Sequence, residues 1–138
     1  ENFNASYSKM KDKRIALAHF CDTYQVHPSE ICFFYDDVLD VPIAEEAGLR
    51  IFIPHRKGFY FTNFVKENHL ADYITGCPSG SYAVREGCEM LLNAGSVFNE
   101  VIASRVNFDE PYKRYIASRQ DITTQFYDLS NGAVAKAE

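Results

Sequence analysis

Several things are missing from this sequence, and each absence closes off a class of function. The four cysteines, Cys21, Cys32, Cys77 and Cys88, include no CxxC pair. That argues against a zinc site and against a disulfide framework. The four histidines, His19, His27, His55 and His69, are scattered, which argues against a histidine-based metal centre. No signal peptide and no run of eighteen apolar residues appears, so the sequence offers no helical membrane span. There is no internal repeat or low-complexity block. Basic residues cluster only at Lys9, Lys11, Lys13 and Arg14, with Asp12 among them, and the net charge is −5. This balance argues against nucleic acid and anionic membrane as partners. Cys21, Cys32 and Cys88 lie in apolar segments, where a reduced thiol behaves as a small hydrophobe. The expectation is a protein of the reducing cytoplasm. The chain opens on Glu1 rather than methionine, from which we expect that something upstream has been removed.

What is present suits a globular domain. The 138 residues are 46% apolar and 14% aromatic, enough to build a core. Residues 9–25 read as a helix capped by Ser8, with Ile15, Leu17, Ala18, Cys21 and Tyr24 apolar. After the proline turn "VHPSE", the wholly apolar "ICFFY" (31–35) suits a strand covered on both faces. Pro42 opens a short helix closed by Gly48, and "LRIFIP" (49–54) is a second strand. Loop and helix over 55–70, a third strand at "ADYIT" (71–75) and an amphipathic helix over 81–95 follow. More helix is expected to about Arg105. Beyond Asn107 the expectation is one helix and a flexible, small-residue tail. Alternating strands and helices predict an α/β fold with a mainly parallel sheet. The expected division is 1–106 and 107–138.

In such sheets ligands bind beyond the carboxyl ends of the strands. One of those ends carries "FFYDDVLD", which sets Asp36, Asp37 and Asp40 directly behind an apolar strand. Crowded carboxylates repel one another, and burying one without a partner is costly. Two readings meet the problem. The residues form a strand-to-helix turn with Asp40 as N-cap, or they hold a cation. Oxygen ligands suit Mg²⁺, which prefers one or two carboxylates, several waters and a substrate phosphate. A phosphate on that metal would also want a lysine as a point charge, and Lys13 precedes the strand at a helix start.

Lysine, amphipathic helix, proline turn, apolar strand, "DDxxD" and "AGL", in that order, resemble the second half of the haloacid dehalogenase-like phosphatases. "ADYIT" and "AVRE" (83–86) narrow the resemblance to the branch holding the 3-deoxy-manno-octulosonate 8-phosphate phosphatases and the related domain on some sialic acid cytidylyltransferases. It covers roughly residues 7–95. The resemblance implies a Rossmann-like sheet with flanking helices, incomplete at its N-terminal half. It makes Lys13 the phosphate-binding lysine, Asp36 a ligand of Mg²⁺, Asp37 the adjacent supporting carboxylate and Asp40 the residue that orients the loop. It also implies a small phosphorylated substrate such as a sugar acid phosphate, and a homotetramer.

The same resemblance places the nucleophile and the acid/base in a DxDxT motif on an earlier strand, and this sequence contains no DxD. As written, the chain is not expected to hydrolyse a phosphomonoester. The missing strand would lie beside "ICFFY", so an unpaired apolar edge is expected there, completed by the rest of a larger protein, another chain or the C-terminal extension. A fragment or split chain is the favoured expectation. Tyr35 and Tyr82 stand where the family has glycine, and "PHRKG" (54–58) replaces its "ADAHP"-like loop. These departures leave a second reading, a non-catalytic module for oligomerisation or regulation like the cytidylyltransferase-attached domain. A receiver-like α/β protein is a third, against which the "AVRE" helix counts.

Overall fold

The structure, a computed structural model, describes residues 3–130 and 132–137. The chain forms two compact units, one of residues 11–88 and one of residues 1–10 with 89–138.

The larger unit is an α/β assembly on a parallel three-stranded sheet, in the order β2 (Cys32–Tyr35), β3 (Leu49–Phe52), β4 (Tyr73–Ile74). Each expected strand forms at its expected place. Between them run α1 (Arg14–Tyr24), α2 (Val41–Ala44) and α3 (Phe59–Glu67), and α4 (Ala83–Ala94) begins after β4. This α/β fold with a parallel sheet and flanking helices is the one the sequence predicts. The two-residue period of β2 sorts its side chains by face. Phe33 and Tyr35 join Ala44, Phe52, Val65 and Leu70 in the core under α2 and α3. Phe34 points the other way, towards Gly87 of α4, where an added Cβ would come within 2.3 Å of its ring.

Three local expectations are corrected. Ser8 does not cap α1, because it ends a strand, β1 (Ala5–Ser8), and the helix begins at Arg14. The turn before it is made by Asp12, whose carboxylate accepts the Arg14 amide at 3.1 Å and its guanidinium at 3.0 and 2.7 Å. Gly48 is needed for close backbone approach, since an added Cβ would lie 1.8 Å from the Ser29 carbonyl oxygen. Finally, β2 is not covered throughout. Among the described residues it pairs with β3 alone, and Cys32, Phe33 and Phe34 stay partly exposed, whereas Ile51 and Phe52 of the central β3 are fully buried. The apolar edge expected from the sequence is present.

The smaller unit holds α5 (Phe98–Asn107), α6 (Glu110–Gln120), β5 (Gln125–Ser130) and β6 (Ala133–Lys136). Asp109 caps α6, accepting the Tyr112 amide at 3.0 Å and the Ser104 hydroxyl at 2.5 Å. The tail expected to be flexible is a hairpin instead. β5 pairs antiparallel with β6 and parallel with β1, and Lys9 meets Asp128 at 2.6 Å. The expected boundary at Asn107 therefore does not coincide with the compact units, because β1, β5 and β6 share a sheet.

Candidate functional site

The β2–β3 and β3–β4 registers set Tyr35, Phe52 and Ile74 side by side, so the segments after them leave the sheet along one edge. Those segments supply Asp36 and Asp37 from β2, His55 and Arg56 from β3, and Thr75 to Ser81 from β4. A cavity of about 370 Å³ opens there, lined among others by Asp36, Asp40, Ser79, Ser81 and Tyr82.

The four residues singled out from the sequence take different positions. Lys13, at the head of α1, donates from Nζ to Asp40 Oδ1 at 2.5 Å, across 27 residues of chain. Asp40 is buried, so a cationic partner offsets the cost of holding its charge away from water. Asp36 is half-buried and lines the same cavity. Its Oδ2 accepts the Ser79 hydroxyl at 2.9 Å and lies 3.4 Å from His55 Nε2, and neither contact uses Oδ1. Asp37 is exposed. Its Oδ1 accepts the Leu39 amide at 2.8 Å and caps the 3-10 turn Val38–Asp40. The capping role weighed for Asp40 thus falls to Asp37. Among the described residues no three of His, Cys, Asp and Glu gather closely enough to hold a metal by themselves.

Sequence reasoning missed Ser79 and His55, and used Glu86 only as part of "AVRE". The signal for Ser79 was its place in the loop beyond a parallel strand. Glu86 reaches back from α4 to that loop. Its carboxylate accepts the Gly76 and Cys77 amides, both at 2.7 Å, and the Tyr73 hydroxyl at 2.9 Å. The loop is then pinned again where the Ser79 amide bonds Pro54 O at 2.9 Å. So Glu86 holds the segment whose serine orients Asp36. The two backbone amides above all hold the Glu86 carboxyl down at about 2. A carboxyl lowered in the folded state stabilises it above the ordinary carboxyl range, and that stability fades as pH falls from about 4.5 towards 2. Melting temperature measured between pH 6 and 2.5 is therefore expected to fall across that window. Glu86→Gln should be less stable at pH 6 and show a smaller fall; an unchanged slope would remove Glu86 from the account.

The two tyrosines in glycine positions also separate. Tyr35 is 2% exposed, with its hydroxyl donating to Leu70 O at 2.9 Å, and burial pushes its phenol up to about 12. Its side chain belongs to the core. Tyr82 is 81% exposed at the cavity, with φ +66, the left-handed region that glycine favours.

No protein-family model matches the chain. It is similar to the 3-deoxy-D-manno-octulosonate 8-phosphate phosphatase of Escherichia coli K12, 28% identical over 94 residues, which are 68% of this chain and 46% of that protein. The Yersinia pestis enzyme of the same name is 27% identical over 88 residues, 64% of this chain and 43% of that protein. A crystal structure of the Yersinia pestis phosphatase superposes with a TM-score of 0.55 at 26% identity, over 65% of this chain and 45% of that one. The chain spans about half the length of the curated relatives it matches. It is a weak homologue of these haloacid dehalogenase-like phosphatases and is similar to them in fold, and the partial coverage fits a match to one half of such a domain.

Proposed function

We propose that this chain is the metal- and phosphate-holding half of a Mg²⁺-dependent phosphomonoester hydrolase of the haloacid dehalogenase type. The observation that carries the reading is the Lys13–Asp40 pair at 2.5 Å, beside the cavity edge that Asp36 lines. The donors suit a hard cation in kind, and Mg²⁺ asks the protein for only one or two carboxylates. Asp36 would hold it, with Asp37 in support. Bound there, Mg²⁺ supplies charge neutralisation on the phosphoryl oxygens.

The chain's own residues supply position. Asp40 aims the Lys13 ammonium as a point charge for a phosphate oxygen. Ser79 fixes the rotamer of Asp36, and the cap by Asp37 holds the turn that carries Asp40. The substrate class we infer is a small phosphorylated compound, with a sugar acid phosphate suggested by the names of the relatives. The sequence has no DxDxT motif, so on this reading the nucleophile comes from outside these residues and the 138 residues alone are expected to be inactive.

A second reading, a non-catalytic module of the same fold, draws support from Asp36 Oδ2, which already has two protein partners. Mg²⁺ titration of the intact protein by calorimetry separates the two. The hydrolase reading expects saturable binding that Asp36→Asn weakens about tenfold, the loss of about 1.4 kcal/mol. Absence of Mg²⁺ binding favours the module.

A further inference from the structure

Next to the acidic cavity the same unit carries a second one, of about 280 Å³. One wall is a single face of α3, where Phe59, Thr62, Asn63 and Lys66 follow at spacings of three and four. The opposite wall is the loop of Pro54, His55 and Arg56. His55 and Arg56 line this second cavity and touch residues of the first, since His55 Nε2 lies 3.4 Å from Asp36 and Arg56 Nη2 donates to Ser81 Oγ at 3.1 Å.

The charge of this second cavity runs against that of the chain. Acidic residues outnumber Lys and Arg by 19 to 14 overall, yet Arg56 and Lys66 line the cavity with His55 and no carboxylate joins them. Lys66 has neither an ion pair nor a side-chain hydrogen bond among the described residues. Arg56 has the Ser81 contact and, among the described residues, no ion pair. Two permanent cations set on one hollow without a counter-charge repel each other, and an anion between them removes that repulsion. Their donors, a planar fork and a compact ammonium, match the oxygens of a carboxylate or phosphate, and Thr62 and Asn63 add neutral donors. Pro54 and Phe59, the latter 76% exposed, offer apolar surface to the carbon skeleton behind such a group.

We propose that this cavity is an oxyanion site that takes the carboxylate or phosphate of a small organic molecule. It stands whether or not Asp36 takes a metal. The test is an NMR titration of the intact protein with inorganic phosphate and, separately, with malonate, each against chloride at constant ionic strength. The expected result is saturating shifts of the Gly58, Thr62 and Asn63 amides, with the tighter of the two anions identifying the group. The double variant Arg56→Gln/Lys66→Gln should weaken that binding about tenfold or more while its melting temperature holds, because both side chains are exposed. Lys66→Gln alone, on the solvent side of α3, should weaken it in part and serves if the double variant misfolds. Shifts that rise without saturating, that survive in the variants, or that appear only around Lys13 and Asp36 would overturn the proposal.

Discussion

Tyr35→Ala is expected to cost about 3–5 kcal/mol of stability, the range for emptying a buried aromatic site. Three observations set that size. The ring is 2% exposed, its centroid lies 5.2 Å from that of Phe52 and 6.0 Å from that of Phe33, and its hydroxyl donates to Leu70 O at 2.9 Å. Removing the side chain opens a void between α2, α3 and the sheet and leaves the Leu70 carbonyl without that donor. Tyr35→Phe keeps the volume and loses only the hydrogen bond, so it should cost about 1 kcal/mol. Urea denaturation followed by far-UV circular dichroism measures both, and is suited to a protein that has no tryptophan. Equal costs for the two variants would mean that the hydroxyl, not the packing, holds this part of the core. The result also bears on function. A tyrosine held by packing on one face of β2 says little about the acidic edge beyond it.

Gly48→Ala comes second, at about 2–3 kcal/mol. The clash is with backbone: the Ser29 carbonyl oxygen lies 1.8 Å and its carbon 2.5 Å from where the Cβ would stand. A side chain could rotate away, but the turn that precedes β2 cannot, because Gly48 N also bonds Pro28 O at 3.2 Å and Leu49 N bonds Ile31 O at 3.1 Å. Overpacking of this kind costs about 1–3 kcal/mol or more, offset by at most about 1 kcal/mol from stiffening the unfolded chain. Gly95→Ala, where the nearest atom would be 3.5 Å away, is the control and should change stability little. The same denaturation series distinguishes them. A Gly48→Ala protein as stable as the control would show that the 28–31 segment yields, and that the start of β3 is not held as tightly as the hydrogen bonds suggest. The strain falls at the amino ends of β2 and β3, so the Mg²⁺ binding proposed for the opposite edge should survive it.

Much of the larger unit was legible from pattern. "ICFFY", "LRIFIP" and "ADYIT" are short apolar runs between turn residues, and each forms a strand because extended backbone with apolar side chains on both faces is best satisfied in a parallel sheet. Lys13 and Asp40, which the resemblance sets in one site, are hydrogen-bonded at 2.5 Å, and their roles there are the proposal. Local pattern misled where the deciding partner was distant. Ser8 looked like a cap and is a strand residue because residues 125–128 pair alongside it. The residues after Gln120 looked like tail because β5 and β6 have few strong strand formers. They hold as a sheet through one another and through β1.

By itself, then, the sequence determined the order and period of the elements, the α/β class, and that Asp36, Asp37 and Asp40 follow directly behind an apolar strand. Those follow from local rules, spacing along one strand or one helix, that need no knowledge of neighbours. Only the tertiary structure decided how those groups are shared out. It gave Asp40 to Lys13, set Ser79 and His55 on Asp36, left Asp37 as a cap, and buried Tyr35 while exposing Tyr82. Which carboxylate meets which donor depends on where three separate loops leave the sheet, and that is fixed by the strand register and by Glu86 tethering the last of them. No window of sequence contains those distances, because the residues that create them are brought together only by folding.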